Sequence, residues 1–163
     1  MPRRKTNLDV RRLITASVIE VFSTMFSFQA KPVAKPPPHS TSRIAGCVGI
    51  AGSSIGGSVY IHLPEKLARA AAAELLEIEA EKLVDGAAVN DLVGELCNVI
   101  TGTLKAALSR AGNHCASSPP TVIRGSAFAI ETPLEVAKTS VAFVCRRQYF
   151  TVEVYLTNHD RSV

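Results

Sequence analysis

The sequence predicts an α+β fold, with one antiparallel sheet covered by long amphipathic helices. Three observations predict it. Apolar residues recur at helical spacing over 8–28 and again over 87–110. Residues 149–157 alternate with the period of a strand. The predicted strands are joined by short turns, which favours antiparallel pairing over βαβ crossovers. With 163 residues, the chain has single-domain length and can bury a core without disulfide or metal staples. Hydrophobic residues make up 47% and charged residues 20%, which excludes disorder over most of the chain.

The elements come in order. The helix over 8–28 carries Leu13, Ile14, Val18, Val21, Phe22 and Met25 at helical spacing. Residues 31–42 (KPVAKPPPHSTS) read as a proline-rich connection, unsuited to helix or interior strand. A hairpin comes next, with strands at 43–51 and 55–63, in which Val59, Ile61 and Leu63 alternate with Tyr60 and His62. The uncharged stretch 44–64 has the length of a membrane span, about 20 residues. Its five glycines and its central Ser53-Ser54 instead predict two strands around a turn. Pro64-Glu65-Lys66 opens a second helix that runs to about 78. The third helix, 87–110, is stopped by Gly112 and Asn113. Ser117-Ser118-Pro119-Pro120 then connects to strands at 121–130, 136–146 and 149–157, with Arg146-Arg147-Gln148 turning into the last. Each half of the chain offers a long helix, a proline-bearing connection and antiparallel strands, a pseudo-repeat with low identity between its halves.

Residues 1–7 read as a basic tail and 8–163 as a single domain. Arg3, Arg4, Lys5, Arg11 and Arg12 supply much of the net charge of +4. Such a cluster suits nucleic acid, an acidic membrane surface or a solvated terminus. No aromatic residue is interleaved for base stacking, and neither nucleic-acid binding nor membrane insertion is expected. The four cysteines form no C-x-x-C pair and the four histidines are scattered, so no metal site is expected. Cys97 and Cys145 read as buried thiols in a reducing, cytoplasmic setting. No apolar run directly succeeds the basic N-terminus, so no signal peptide is expected. The glycine-rich 52–57 lacks the Lys and Ser/Thr of a phosphate-binding loop, and no G-x-S-x-G elbow is present. His62 is expected on the outer face of a strand.

The third helix carries the functional signal. At about 100° per residue, Val93, Leu96, Ile100, Leu104, Ala107 and Leu108 form one apolar arc. Asp91, Glu95, Asn98 and Gly102 form a narrow stripe opposite it, spaced as vertical neighbours on one face. Asn and Gly are poor helix formers, and a helix built only for solubility would favour Lys, Glu or Ala there. Glycine also allows a partner to approach closely.

The run Asp91-Leu92-Val93-Gly94-Glu95-Leu96-Cys97-Asn98, with Pro120 22 positions after Asn98, resembles the CheC/CheX/FliY phosphatases of bacterial chemotaxis. The order of helices and strands is similar across nearly the whole chain. The resemblance implies a phosphatase acting on the phosphoaspartate of a CheY-like response regulator. Glu95 and Asn98 would be its catalytic pair, with Asp91, Gly102 and Pro120 in support. Asn98 would orient the attacking water, and Glu95 would pair with a lysine of the partner. Mg²⁺ would come from the partner, with no cofactor in this chain. The family often carries a second site on the first helix. Here that stripe holds Ala16, Glu20 and Ser23, with Ser23 where Asn would stand. The sequence therefore resembles the one-site CheX branch, with Glu20 and Ser23 a degenerate second site. The resemblance also allows a homodimer. A non-catalytic module binding a response regulator or a flagellar-switch component is the alternative reading.

Overall fold

The computed structural model describes residues 8–37, 42–132 and 136–159. The basic tail 1–7 lies outside the described residues. Three helices, α1 (Val10–Phe26), α2 (Glu65–Leu75) and α3 (Gly86–Arg110), accompany seven strands. The strands are β1 (Lys31–Val33), β2 (Arg43–Gly52), β3 (Ile55–Pro64), β4 (Cys115–Ser117), β5 (Thr121–Gly125), β6 (Ala137–Cys145) and β7 (Gln148–Asn158). They form one antiparallel sheet in the order β1-β6-β7-β3-β2-β4, and β5 shares the outer edge of β2 with β4. Exchanging the two halves of the chain reverses this order onto itself. The hairpins β2–β3 and β6–β7 meet at the centre, and each half sends a short strand to the hairpin of the other.

The strand period sorts the core. Ile44, Val48, Ile50, Val59, Ile61, Phe150, Val152 and Val154 are buried beneath Ile14, Val18 and Phe22 of α1 and Leu96, Ile100 and Leu104 of α3. Phe22 and Phe143 each stack on Phe150, with ring centroids 4.8 and 5.1 Å away. The sheet admits α3 closely at Gly46. A Cβ there would lie 3.0 Å from the Val93 carbonyl and 3.2 Å from the Cys97 Cβ, so a larger residue would lift the helix from β2.

Beyond shifts of one or two residues at element ends, such as α1 at Val10–Phe26 against the expected 8–28, four differences from the sequence expectation have local reasons. Residues 31–33 are not mere connection. They form β1 at the sheet edge, where Pro32 need not donate an outward hydrogen bond. The second helix stops at Leu75, because Glu77 takes a left-handed conformation (φ 54°) and Ile78 N–H returns to the Ala73 carbonyl at 3.0 Å. That is a Schellman ending, to which apolar periodicity is blind. β4 takes up Cys115 and Ala116, to which the sequence reading assigns no element, and Ser117, the first residue of the expected serine-proline connection. Beyond it Ser118 N–H reaches the Gly49 carbonyl, and Gly49 N–H reaches Ser118 Oγ, both at 2.9 Å. Pro119 and Pro120 then interrupt the ladder, because proline has no N–H. β5 ends at Gly125, opposite Arg43 where β2 begins, and Phe128 folds back under the Arg43 guanidinium, 4.1 Å from ring to Cζ.

Candidate functional site

α3 begins at Asp85, whose carboxylate accepts a hydrogen bond from Ala87 N–H at 2.8 Å, an N-cap that fixes the phase of the helix from its first turn. On the wheel so set, Leu96, Ile100 and Leu104 are fully buried, while Asp91, Glu95, Asn98 and Gly102 are all exposed. Glu95 and Asn98 stand one turn apart, with Cβ atoms about 5–6 Å from each other by helical geometry. Nothing lies within 4 Å of a Cβ built on Gly102. The stripe is therefore open to a partner along its length.

The connection after α3 braces this stripe from the side. Pro120 packs on Gly94, with a Cβ at Gly94 falling 3.2 Å from Pro120 Cγ. Four residues on, Arg124 of β5 holds the start of the helix. Its Nε donates to Asn90 Oδ1 at 2.7 Å and a terminal nitrogen donates to the Gly86 carbonyl at 3.0 Å. The other terminal nitrogen meets Glu65 of α2 at 3.3 Å. Sequence reasoning singles out none of Gly94, Asn90 and Arg124. A glycine inside a helix, and a lone cation in the strand TVIRG, are the signals that mark them.

The first helix carries its counterparts Ala16, Glu20 and Ser23 as exposed residues as well. The position before Glu20 is Ile19, 40% exposed, where α3 has the buried Gly94. Pro36 comes three residues after β1, as Pro120 comes three after β4.

A second polar cluster lies on the sheet face away from the helices. His62 is buried on the outer side of β3, with Nε2 3.3 Å from Glu153 Oε2. Lys138 Nζ lies 2.9 Å from the other carboxylate oxygen, and Tyr155 Oη donates to Oε2 at 3.0 Å. Burial alone would push the Glu153 carboxyl upward. Hydrogen bonds and charge from His62 and Lys138 overcome it and hold the group at about 2. The polar partner of His62 Nε2 is thus the Glu153 carboxylate and not a nucleophile. Burial, with the nearby Cys47, pushes the Cys97 thiol up to about 12, so it stays protonated and inert. Among the described residues no three His, Cys, Asp or Glu side chains come together as a metal site, and no helix is long and apolar enough to cross a membrane.

The model of the family described as chemotaxis phosphatase CheX matches residues 44–144, a span from β2 into β6 that includes the whole stripe. The chain belongs to the CheX family. No curated protein sequence matches significantly. Solved structures share the fold. A chemotaxis protein CheX from Vibrio vulnificus is 25% identical with a TM-score of 0.78, covering 92% of this chain and 97% of that one. A CheC-like superfamily protein from Shewanella sp. PV-4 is 26% identical with a TM-score of 0.77, covering 93% and 99%. The CheX of Borrelia burgdorferi, solved in a complex with CheY, beryllofluoride and Mg²⁺, is 21% identical with a TM-score of 0.71, covering 92% and 99%. The CheX-like order of elements therefore extends over nearly all of this chain.

Proposed function

We propose that this CheX-family chain hydrolyses the aspartyl phosphate of a CheY-like response regulator. The observation that carries the reading is the exposure of Glu95 and Asn98, one turn apart, on a helix whose neighbouring positions 96, 97 and 100 are buried. Both side chains can enter a partner's site without disturbing the fold. The Borrelia CheX–CheY complex supports the choice of partner, since beryllofluoride mimics a phosphoryl group.

In the reaction, water attacks phosphorus in line and the bond from phosphorus to the carboxylate oxygen breaks. Inorganic phosphate departs, and the regulator's aspartate is left in its chain as a free carboxylate. The Asn98 carboxamide offers an acceptor oxygen and two donor protons. It can hold the attacking water while also touching the phosphoryl group. Orienting the water removes part of the entropic barrier. Glu95 is unsuited to act as base, because its carboxylate is repelled by the phosphoryl oxygens. It pairs with a lysine of the regulator and sets the docking register. Mg²⁺ held by the regulator would offset phosphoryl charge. Asp91 extends the acidic stripe, Gly102 keeps its lower end clear, and Pro120 braces it. Glu20 and Ser23 form a degenerate site. A serine hydroxyl reaches less far than a carboxamide, and Ile19 stands where α3 has Gly94, the residue on which Pro120 packs.

The test is phosphate release from a phosphorylated receiver domain with and without the protein. Wild type should accelerate release, and Asn98→Ala should slow the accelerated rate by about 10²-fold, the scale of a misplaced reacting group, while binding to the receiver stays within twofold. Unchanged hydrolysis by Asn98→Ala would remove the catalytic assignment and leave a binding module.

A further inference from the structure

We infer that the groove between α2 and α3 is a docking surface for a basic face of the response regulator, one bearing a protruding aliphatic side chain. The inference rests on the function proposed above and deepens it by saying what the regulator must present beside its phosphorylation site.

The groove has a volume of about 330 Å³. Ala72, Leu75 and Leu76 form one wall, Leu92 lines the other, and Asp91 and Glu95 stand on the α3 side. Glu95 therefore belongs both to this groove and to the stripe that carries Asn98, so one partner can occupy both at once. Leu75 is 48% exposed and Leu76 51%. With Ile78 and Val84 they account for four of the seven large apolar residues exposed among the described residues. Apolar surface concentrated in this way, with a polar rim, marks an interaction site more than a solvated helix end.

Charge supplies the chemistry of the partner. Seven of the chain's 14 acidic residues fall between Glu74 and Glu95, against the single base Lys82. All seven are exposed. This segment carries −6 within a chain of net +4. Asp91 and Glu95 line the groove, and the other five lie at the end of α2 and in its connection to α3. Acid concentrated in this way attracts a Lys/Arg surface and repels anionic lipid headgroups, while the groove takes an aliphatic side chain. The complementary occupant is a basic protein surface with an apolar knob. Because Glu95 lies on the rim, that surface must be adjacent to the regulator's lysine-bearing site.

The experiment measures affinity and single-turnover dephosphorylation for a CheY-type receiver domain loaded with beryllofluoride and Mg²⁺ (binding) or with phosphate (turnover). Leu76→Ser alters a half-exposed residue, and its folding is checked by thermal melting. It should raise Kd about tenfold, on the scale of truncating an interface anchor, with the saturated rate within twofold of wild type. Glu77→Lys/Glu81→Lys should also raise Kd and should flatten its dependence on salt. Asn98→Ala, run beside them, reports on the proposed function by itself. An unchanged Kd for both groove variants, with Asn98→Ala still slow, overturns the groove and leaves the phosphatase standing. Weakened groove variants with a fully active Asn98→Ala overturn the catalytic role and leave the docking surface. A receiver that does not bind wild type overturns both. A wild-type dimer that Leu76→Ser dissociates assigns the groove to a second copy and overturns the inference.

Discussion

Pro120 rests against Gly94 so closely that a Cβ at Gly94 would stand 3.2 Å from Pro120 Cγ and 3.5 Å from its Cβ. Gly94 is the residue before Glu95, so the same contact that seats the proline fixes the rotation of the helix under the candidate site. Gly94→Val places further carbons in that space and should cost about 2 kcal/mol, within the range for overpacking. Pro120→Ala alone should be mild. The double variant should recover part of the loss, because the clash has been removed, and a thermodynamic cycle from urea melts measures the coupling. Strictly additive effects would show that the two residues do not bear on each other.

Glu95 and Asn98 have different assigned work and should fail differently. Glu95→Ala should weaken binding to the phosphorylated receiver several-fold, and the deficit should be larger at low salt, where exposed charge pairing is least screened. Its saturated rate should stay closer to wild type than that of Asn98→Ala. Equal losses in both saturated rate and affinity for the two variants would contradict the division of roles.

Glu20→Ala should keep most of the dephosphorylation rate and all of the stability, since Glu20 is exposed on α1 and Ser23 replaces the carboxamide. Single-turnover assays with folding checked by circular dichroism decide this. A loss as large as that from Glu95→Ala would mean two working sites.

Glu153 makes stability depend on acid. Its folded value of about 2 lies below the ordinary 4.5, so the native state holds the carboxylate more firmly than the unfolded chain does. The stabilisation is complete above pH 4.5 and is lost as pH falls through 2. Glu153→Gln should lower stability at pH 7 by on the order of 1–2 kcal/mol, because Lys138 loses its counter-charge and His62 Nε2 and Tyr155 Oη lose a carboxylate partner. The variant's stability should also fall less steeply than wild type between about pH 5 and 2. Urea midpoints across that range test it, and parallel slopes would contradict it.

The acidic groove and the stripe are legible in the sequence to different degrees. The stripe of Asp91, Glu95, Asn98 and Gly102 comes from residue order alone, because a helix repeating at about 3.6 residues per turn puts those four on one face. Apolar periodicity instead places Leu75 and Leu76 inside a longer helix. Only the left-handed Glu77, which ends α2 there, turns the next residues away.

By itself the sequence determined the two long helices, the hairpin at 43–64, the final strand and the face that carries Glu95 and Asn98. Each of these depends on a period repeated over many residues, so a local pattern suffices. Tertiary structure alone decided the partners of the short pieces. β1 has three residues, as does β4, too few for a period, and their pairing with β6 and β2 was settled by which sheet edges stood free. The same long-range pairing carried Pro120 to Gly94 and Arg124 to Asn90. Those contacts join residues far apart in the chain, and no local pattern encodes them. They exist because β4 and β5, on either side of the two prolines, pair with the edge of β2, over which Gly46 lets α3 lie close.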